Sequence, residues 1–180
     1  GATLGDLFAL ANAVALSVGA AIAIEDPQRR VLAYSNLPDQ PIDEVRRQGI
    51  LGRQVPDLPG NVEDYRTVSR ATSVVRFAPV PPDLIGRMGI AVRAGNELLG
   101  SLWAVDADGR LDAEAERALT DAARLAALHL LRARSWRGVE RSERADTLRA
   151  LLHEGDVTGQ LGAVRHGLTP DTPLLVAAFS

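Results

Sequence analysis

The chain contains no cysteine, which excludes a disulfide framework, a thiolate metal site, a cysteine nucleophile and a thioether-linked cofactor. It has no lysine either: all 20 basic residues are arginine, set against 23 acids for a net charge of −3. Aromatic residues make up 4%, so neither a basic surface that neutralises phosphates nor a set of stacking platforms is at hand, and nucleic-acid binding by this stretch is not expected. No run approaches the roughly 18 consecutive apolar residues of a membrane span, and Gly1-Ala2-Thr3 lacks the charged and apolar regions of a signal peptide. A cytoplasmic protein without membrane contact is expected. A first residue other than Met, and a strand-like run at 173–179 with nothing after it to pair, lead to the expectation that both ends are cut from a longer frame.

What is present is apolar: 46% of 180 residues are hydrophobic, enough for one complete domain with the beginning of a second. Thr3 and Asp6 form a capping box ahead of a first helix that Gly19 stops, with Leu7, Ala11 and Val14 on one stripe. Residues 20–24 and 30–35 read as a hairpin around Pro27, and a short helix at 42–48 is expected to end on Gly49 in the left-handed position. Residues 50–70, punctuated by Pro56, Pro59 and Gly60, show little periodicity. A strand at 73–78 precedes a clear hairpin, 88–93 and 98–105 around a Gly95-Asn96 loop. Asp112 then caps a long helix with Leu119, Ala122 and Ala126 at helical spacing and a break near Gly138. The order of elements implies an α+β domain, an antiparallel sheet with helices gathered on one side. Leu98-Leu99 and Leu102-Trp103 nevertheless place apolar groups on both faces of their strand, as in a sheet covered twice.

Catalytic constellations are not found. His129 sits in an apolar helical run, and His153-Glu154 lacks the second His that would complete a zinc motif. His166 before Gly167 is explained by a helix end. Asp106 and Asp108 beside Gly109 read as a turn, no glycine pattern forms a phosphate cradle, and no serine occupies a nucleophile elbow. The arginine-rich stretch 132–149 is interleaved with acids and reads as a solvated helix. An enzyme is therefore not expected, nor a metal or cofactor. What remains is a small-molecule pocket: Tyr34, Phe77, Met88 and Trp103 are large side chains on or beside strands, with Arg76 or Arg87 as an anion partner. Ordinary core packing with arginine in solvent is the simpler account of each one.

The stretch Gly86-Arg87-Met88-Gly89-Ile90-Ala91-Val92-Arg93-Ala94-Gly95-Asn96-Glu97-Leu98-Leu99-Gly100-Ser101-Leu102-Trp103, followed by a turn and a long helix, resembles the closing hairpin and last helix of GAF domains. Arg46-Arg47-Gln48-Gly49-Ile50-Leu51-Gly52-Arg53-Gln54-Val55-Pro56 resembles a segment of the N-terminal sensor domains of PucR/CdaR-type bacterial transcription regulators. Leu148-Arg149-Ala150-Leu151-Leu152-His153-Glu154-Gly155 and Arg165-His166-Gly167-Leu168-Thr169-Pro170 resemble the entry to that family's middle, GGDEF-like domain. The resemblance implies a GAF-like antiparallel sheet flanked by N- and C-terminal helices over residues 1–135, a connector helix at 136–152 and the start of a GGDEF-like domain at 153–180. It further implies a sensory domain that binds an unidentified small-molecule effector and acts on DNA only through a helix-turn-helix domain outside this chain. The apolar stripes Leu7, Ala11, Val14 and Leu119, Ala122, Ala126 are then expected to form a homodimer interface. The alternative is a ligand-free dimerisation scaffold of a signalling protein.

Overall fold

The computed structural model describes residues 4–38, 40, 43–57, 59–79 and 85–153. The chain divides into two units, Gly1–Ala133 and Arg134–Ser180; the whole sheet belongs to the first. Helix α1 (Leu4–Val18) stops where Gly19 turns left-handed at φ 68° and its N–H reaches the Ala15 carbonyl at 2.9 Å, a conformation that costs a residue without Cβ little. The expected cap, Thr3, lies outside the described residues. Strands β1 (Ile22–Glu25) and β2 (Val31–Tyr34) pair antiparallel. Between them the Asp26 carboxylate accepts the backbone N–H of Gln28 and of Arg30, each at 2.9 Å, an Asx-type turn.

Helix α2 (Glu44–Gly52) is capped by Asp43, which accepts the Arg46 N–H at 2.7 Å. The stop expected at Gly49 does not occur; the helix continues to Gly52, and Arg53 takes the left-handed position at φ 52°. The cause is tertiary. Gly49 is buried against Val31 and Val55, and the Arg53 carbonyl must reach the Val31 N–H at 3.1 Å while Val55 donates to the Arg29 carbonyl. A further helix, α3 (Pro59–Arg70), fills the stretch that showed little periodicity. It begins on a proline, whose missing N–H is no loss in a first turn.

Strands β3 (Val75–Phe77), β4 (Arg87–Ala94) and β5 (Glu97–Val105) complete a five-stranded antiparallel sheet of order β2-β1-β5-β4-β3. Helix α4 (Ala113–His153) starts on Asp112, whose carboxylate accepts the Glu114 and Ala115 N–H groups at 2.9 and 3.0 Å. No break appears at Gly138; one interior glycine costs about 1 kcal/mol, too little to end a helix of this length.

Strand alternation assigns the two faces. Ile22, Ile24, Met88, Ile90, Leu102 and Ala104 point into one core with α1 and α4. Ala23, Glu25, Arg87, Gly89, Ser101 and Trp103 alternate with them and so point the other way, where Val68 of α3 meets Gly89. The domain is α+β, but its helices cover both faces instead of gathering on one. The six stripe residues expected to meet a partner lie in the chain's own core: Leu7, Ala11, Val14, Leu119, Ala122 and Ala126 are all buried there. An amphipathic helix buries its apolar stripe against the nearest sheet before any partner is needed.

Two glycines set the close approaches. A Cβ on Gly89 would stand 2.7 Å from the Trp103 ring and 2.7 Å from Val68, and one on Gly100 would stand 2.1 Å from the Glu25 carbonyl oxygen. Because backbone, unlike a side-chain end, cannot yield, Gly100→Ala is expected to destabilise the domain by about 3 kcal/mol in urea unfolding. Gly60→Ala, in a helix with nothing within 4 Å, is expected to be neutral or to stabilise by up to about 1 kcal/mol.

Candidate functional site

On the α2–α3 side a cavity of about 50 Å³ opens between the sheet and the two helices. Its walls are mostly apolar: Ala23, Val31, Val45, Ile50, Val55, Ile85, Trp103 and Val105. Four charged residues, Glu25, Asp43, Arg46 and Arg87, join Tyr65 in lining it. Each is delivered by the regularity of its element. Glu25 faces the cavity because it alternates with Ile24 on β1, and Arg87 because it alternates with Met88 on β4. Arg46 stands in the first turn of α2, and Tyr65 precedes Val68 by three residues on α3.

Glu25 is 4% exposed. Tyr65 donates its hydroxyl to Glu25 Oε2, and the guanidinium groups of Arg87, Arg46 and Arg29 surround the carboxylate at longer range. Burial outweighs these partners and lifts the Glu25 pKa from an ordinary 4.5 to about 7. Burial, reinforced by the charge and the hydrogen bond of Glu25, pushes Tyr65 well above its usual value. Arg46 donates from Nη2 to the Ile22 carbonyl at 3.1 Å, and Arg87 donates from Nη1 to Asn61 Oδ1 at 3.5 Å, with Nη2 3.9 Å from Asp43 Oδ2. Arg46 Nε and Arg87 Nη2 are buried and reach no acceptor within hydrogen-bond distance among the described residues. A buried donor left unmatched costs about 1–3 kcal/mol.

An aromatic group closes one side. The Trp103 ring lies 4.6 Å from Tyr65 and 5.8 Å from Phe77, centroid to centroid, and its Nε1 donates to Ser101 Oγ at 2.9 Å. Tyr65 also borders a second hollow of about 250 Å³, lined by Asp26, Arg29, Arg66, Ser69 and Ser101 among others. There Arg29 is ion-paired with Asp57 and lies over the Tyr65 ring.

Solved structures with a similar fold include the cofactor-binding GAF domain of the nutrient sensor CodY from Clostridium difficile (12% identity; 68% of this chain and 83% of that one; TM-score 0.48). The inducer-binding domain of the PobR transcription factor from Acinetobacter, a double mutant in complex with 3-hydroxybenzoic acid, is another (13%; 67% and 95%; 0.42). The DhaR(N)–DhaL complex of E. coli is a third (15%; 87% and 60%; 0.45). No family model and no curated protein matches the chain. Likeness at this level leaves function to be read from the chain's own geometry.

Of the residues singled out from sequence, Arg87 and Trp103 line the cavity, and Phe77 stacks behind Trp103. Met88 is fully buried in the opposite core with α1 and α4. Arg76 pairs with Met88 across the strands; it ties β3 to the start of α4, donating to Glu116 at 2.7 Å and to the Leu111 carbonyl at 2.6 Å. Tyr34 packs edge-on against Phe8 of α1 at 5.3 Å. Sequence reading missed Glu25, Arg46 and Tyr65. The signals were present: an acid closing an alternating apolar strand at 21–25, and Val62, Tyr65 and Val68 at three-residue steps after Pro59. His129 faces Asp6 of α1 at 4.0 Å, and no cluster of three metal-ligating side chains occurs among the described residues.

Since Glu25 binds its proton more tightly folded than unfolded, its contribution to stability is full below pH 4.5 and is lost as pH rises through 7. At about 1.4 kcal/mol per pH unit, roughly 3 kcal/mol disappears across that window. Glu25→Gln keeps an acceptor for Tyr65 and removes the ionisation. It is expected to be more stable than the parent at pH 8 and to flatten the fall between pH 5 and 7, as read by urea unfolding along a pH series.

Proposed function

We propose that residues 1–133 form a GAF-like sensor domain that binds a small-molecule effector in the α2–α3 cavity, as the sensory part of a PucR/CdaR-type transcription regulator. DNA would be reached through a domain outside this chain. The observation that carries the reading is a mostly apolar pocket between the sheet, α2 and α3 whose lining includes the charged residues Glu25, Asp43, Arg46 and Arg87. A scaffold core gains nothing from charged residues around a hollow and would fill the space with methyl groups. The segment that resembles the regulator family supplies Arg46, Gly49, Ile50 and Val55 to the cavity wall, so the resemblance and the geometry coincide on α2. The cluster offers binding and charge but pairs no nucleophile with a base, and the reading is of a non-catalytic domain.

Self-association belongs to the same proposal, through different residues from those first expected. Leu125 and Leu128, 49% and 54% exposed on α4, and Leu16, 72% exposed on α1, are large apolar side chains left at the surface.

Thermal unfolding of the chain across a metabolite panel tests the reading. A ligand at a hundred times its Kd adds about 2.7 kcal/mol to the native state, so a rise of about 5–11 °C is expected for at least one compound. A flat panel would favour the ligand-free scaffold. By light scattering, the double variant Leu125→Glu, Leu128→Glu is expected to halve the mass of the parent assembly, and an unchanged dimer would exclude this face.

A further inference from the structure

We infer that Tyr65 is a movable partition between two hollows of a single effector site, and that the effector which holds it aside carries a hydroxyl or N–H group to take its place on Glu25. This concerns the regulation of the site proposed above and rests on the sensor reading.

Position singles out Tyr65. The hollow of about 250 Å³ beside Asp26 and the cavity between the sheet, α2 and α3 share this residue and no other among those described. Their floors are continuous beneath it. On β5, Trp103 lines one hollow and Ser101, two residues back on the same face, lines the other, and the hydrogen bond from Trp103 Nε1 to Ser101 Oγ spans the join. Across the strands Ser101 pairs with Glu25, whose carboxylate receives the Tyr65 hydroxyl. Both hollows open to solvent, so entry does not depend on Tyr65. Whether they form one site or two does.

Tyr65 is held lightly. Most core rings are packed on all sides, whereas this one is half-buried and has space beside it in both hollows. The ring meets Trp103 at 4.6 Å and lies 5.7 Å from the Arg29 guanidinium. Its hydroxyl is fixed by the bond to Glu25 Oε2. Turning the ring aside breaks that bond, and the cost falls on Glu25. Arg46, Arg87 and Arg29 donate elsewhere, to the Ile22 carbonyl, Asn61 and Asp57, so Oε2 takes its donor from Tyr65. A buried acceptor left unmet is unfavourable, which makes the closed partition the resting state. A ligand that reaches across both hollows favours the open one only by bringing an O–H or N–H of its own.

Carbon relaxation dispersion of the 180-residue chain labelled at tyrosine Cζ, an atom that a ring flip leaves in place, tests the motion without any variant. The chain has two tyrosines. Tyr65 is expected to show microsecond-to-millisecond exchange, and Tyr34, packed edge-on against Phe8, to show none. A Tyr65 resonance free of exchange would overturn the partition. Titration calorimetry then tests the donor. In Tyr65→Ala, phenol restores both ring and hydroxyl and is expected to bind about fivefold more tightly than toluene, the effect of one hydrogen bond; equal or tighter binding of toluene would overturn the donor requirement. Tyr65→Phe keeps the ring and loses the latch. It is expected to bind any stabilising compound from the metabolite panel about fivefold more tightly than the parent, because more of the chain is open, and unchanged affinity would count against the latch. If a panel compound binds while Tyr65 shows no exchange, the sensor reading stands and the partition fails. If Tyr65 exchanges and phenol is preferred while no panel compound binds, the partition stands and the sensor reading fails.

Discussion

A carboxylate taken out of water must be hydrogen-bonded, matched by charge, or neutralised, and Glu25 on the inner face of β1 meets that demand by all three routes. Tyr65 donates to it, Arg87, Arg46 and Arg29 surround it, and burial lets it hold a proton near neutral pH. Much of the α2–α3 side follows from this one residue. Helix α3 must lie close enough to bring Tyr65 over the strand, which requires Gly89, where a Cβ would run into Val68 of α3 and the Trp103 ring. The chain after α2 must return beside β2 through the Arg53–Val31 and Val55–Arg29 hydrogen bonds, and that return brings Arg46 and Val55 to the cavity wall.

The opposite face is simpler. There α1 and α4 bury alanine and leucine against isoleucine, methionine and leucine of the strands, an apolar layer with no charge to accommodate. The two faces share β1, β4 and β5, so residues in contact with the cavity and residues under the terminal helices alternate along the same strands. On the sensor reading this gives a ligand a physical route to α1 and α4 through rigid strands. It can act only by preferring one packing of those helices to another.

Much of the fold was legible because it rests on local chemistry. Asp112 at the start of α4, Gly19 at the end of α1 and the Gly95-Asn96 turn each act within a few residues of themselves, and the alternation of β4 and β5 is written in the sequence. What could not be read were choices made by contacts distant in the chain. Gly49 has the chemistry of a stop, yet Val31 and Val55 hold it inside α2. Met88 and Trp103 look equally able to line a pocket, and only the register, Met88 opposite Ala104 and Trp103 opposite Gly89, sends one to the core and the other to the cavity. Leu7 and Leu119 form stripes that fit a partner helix as well as a sheet, and the sheet takes them. Tyr65 was hidden because two prolines and a glycine masked the helix that carries it.

The titration of the Glu25 side-chain carboxyl, followed by ¹³C NMR with the Glu25→Gln variant to assign its resonance, tests the central claim most directly. A midpoint near 7 would show a carboxylate closed off beneath Tyr65 and the arginines. A midpoint in the ordinary range near 4.5 would show it solvated, and with it the buried cluster of Glu25, Tyr65 and the arginines would fall.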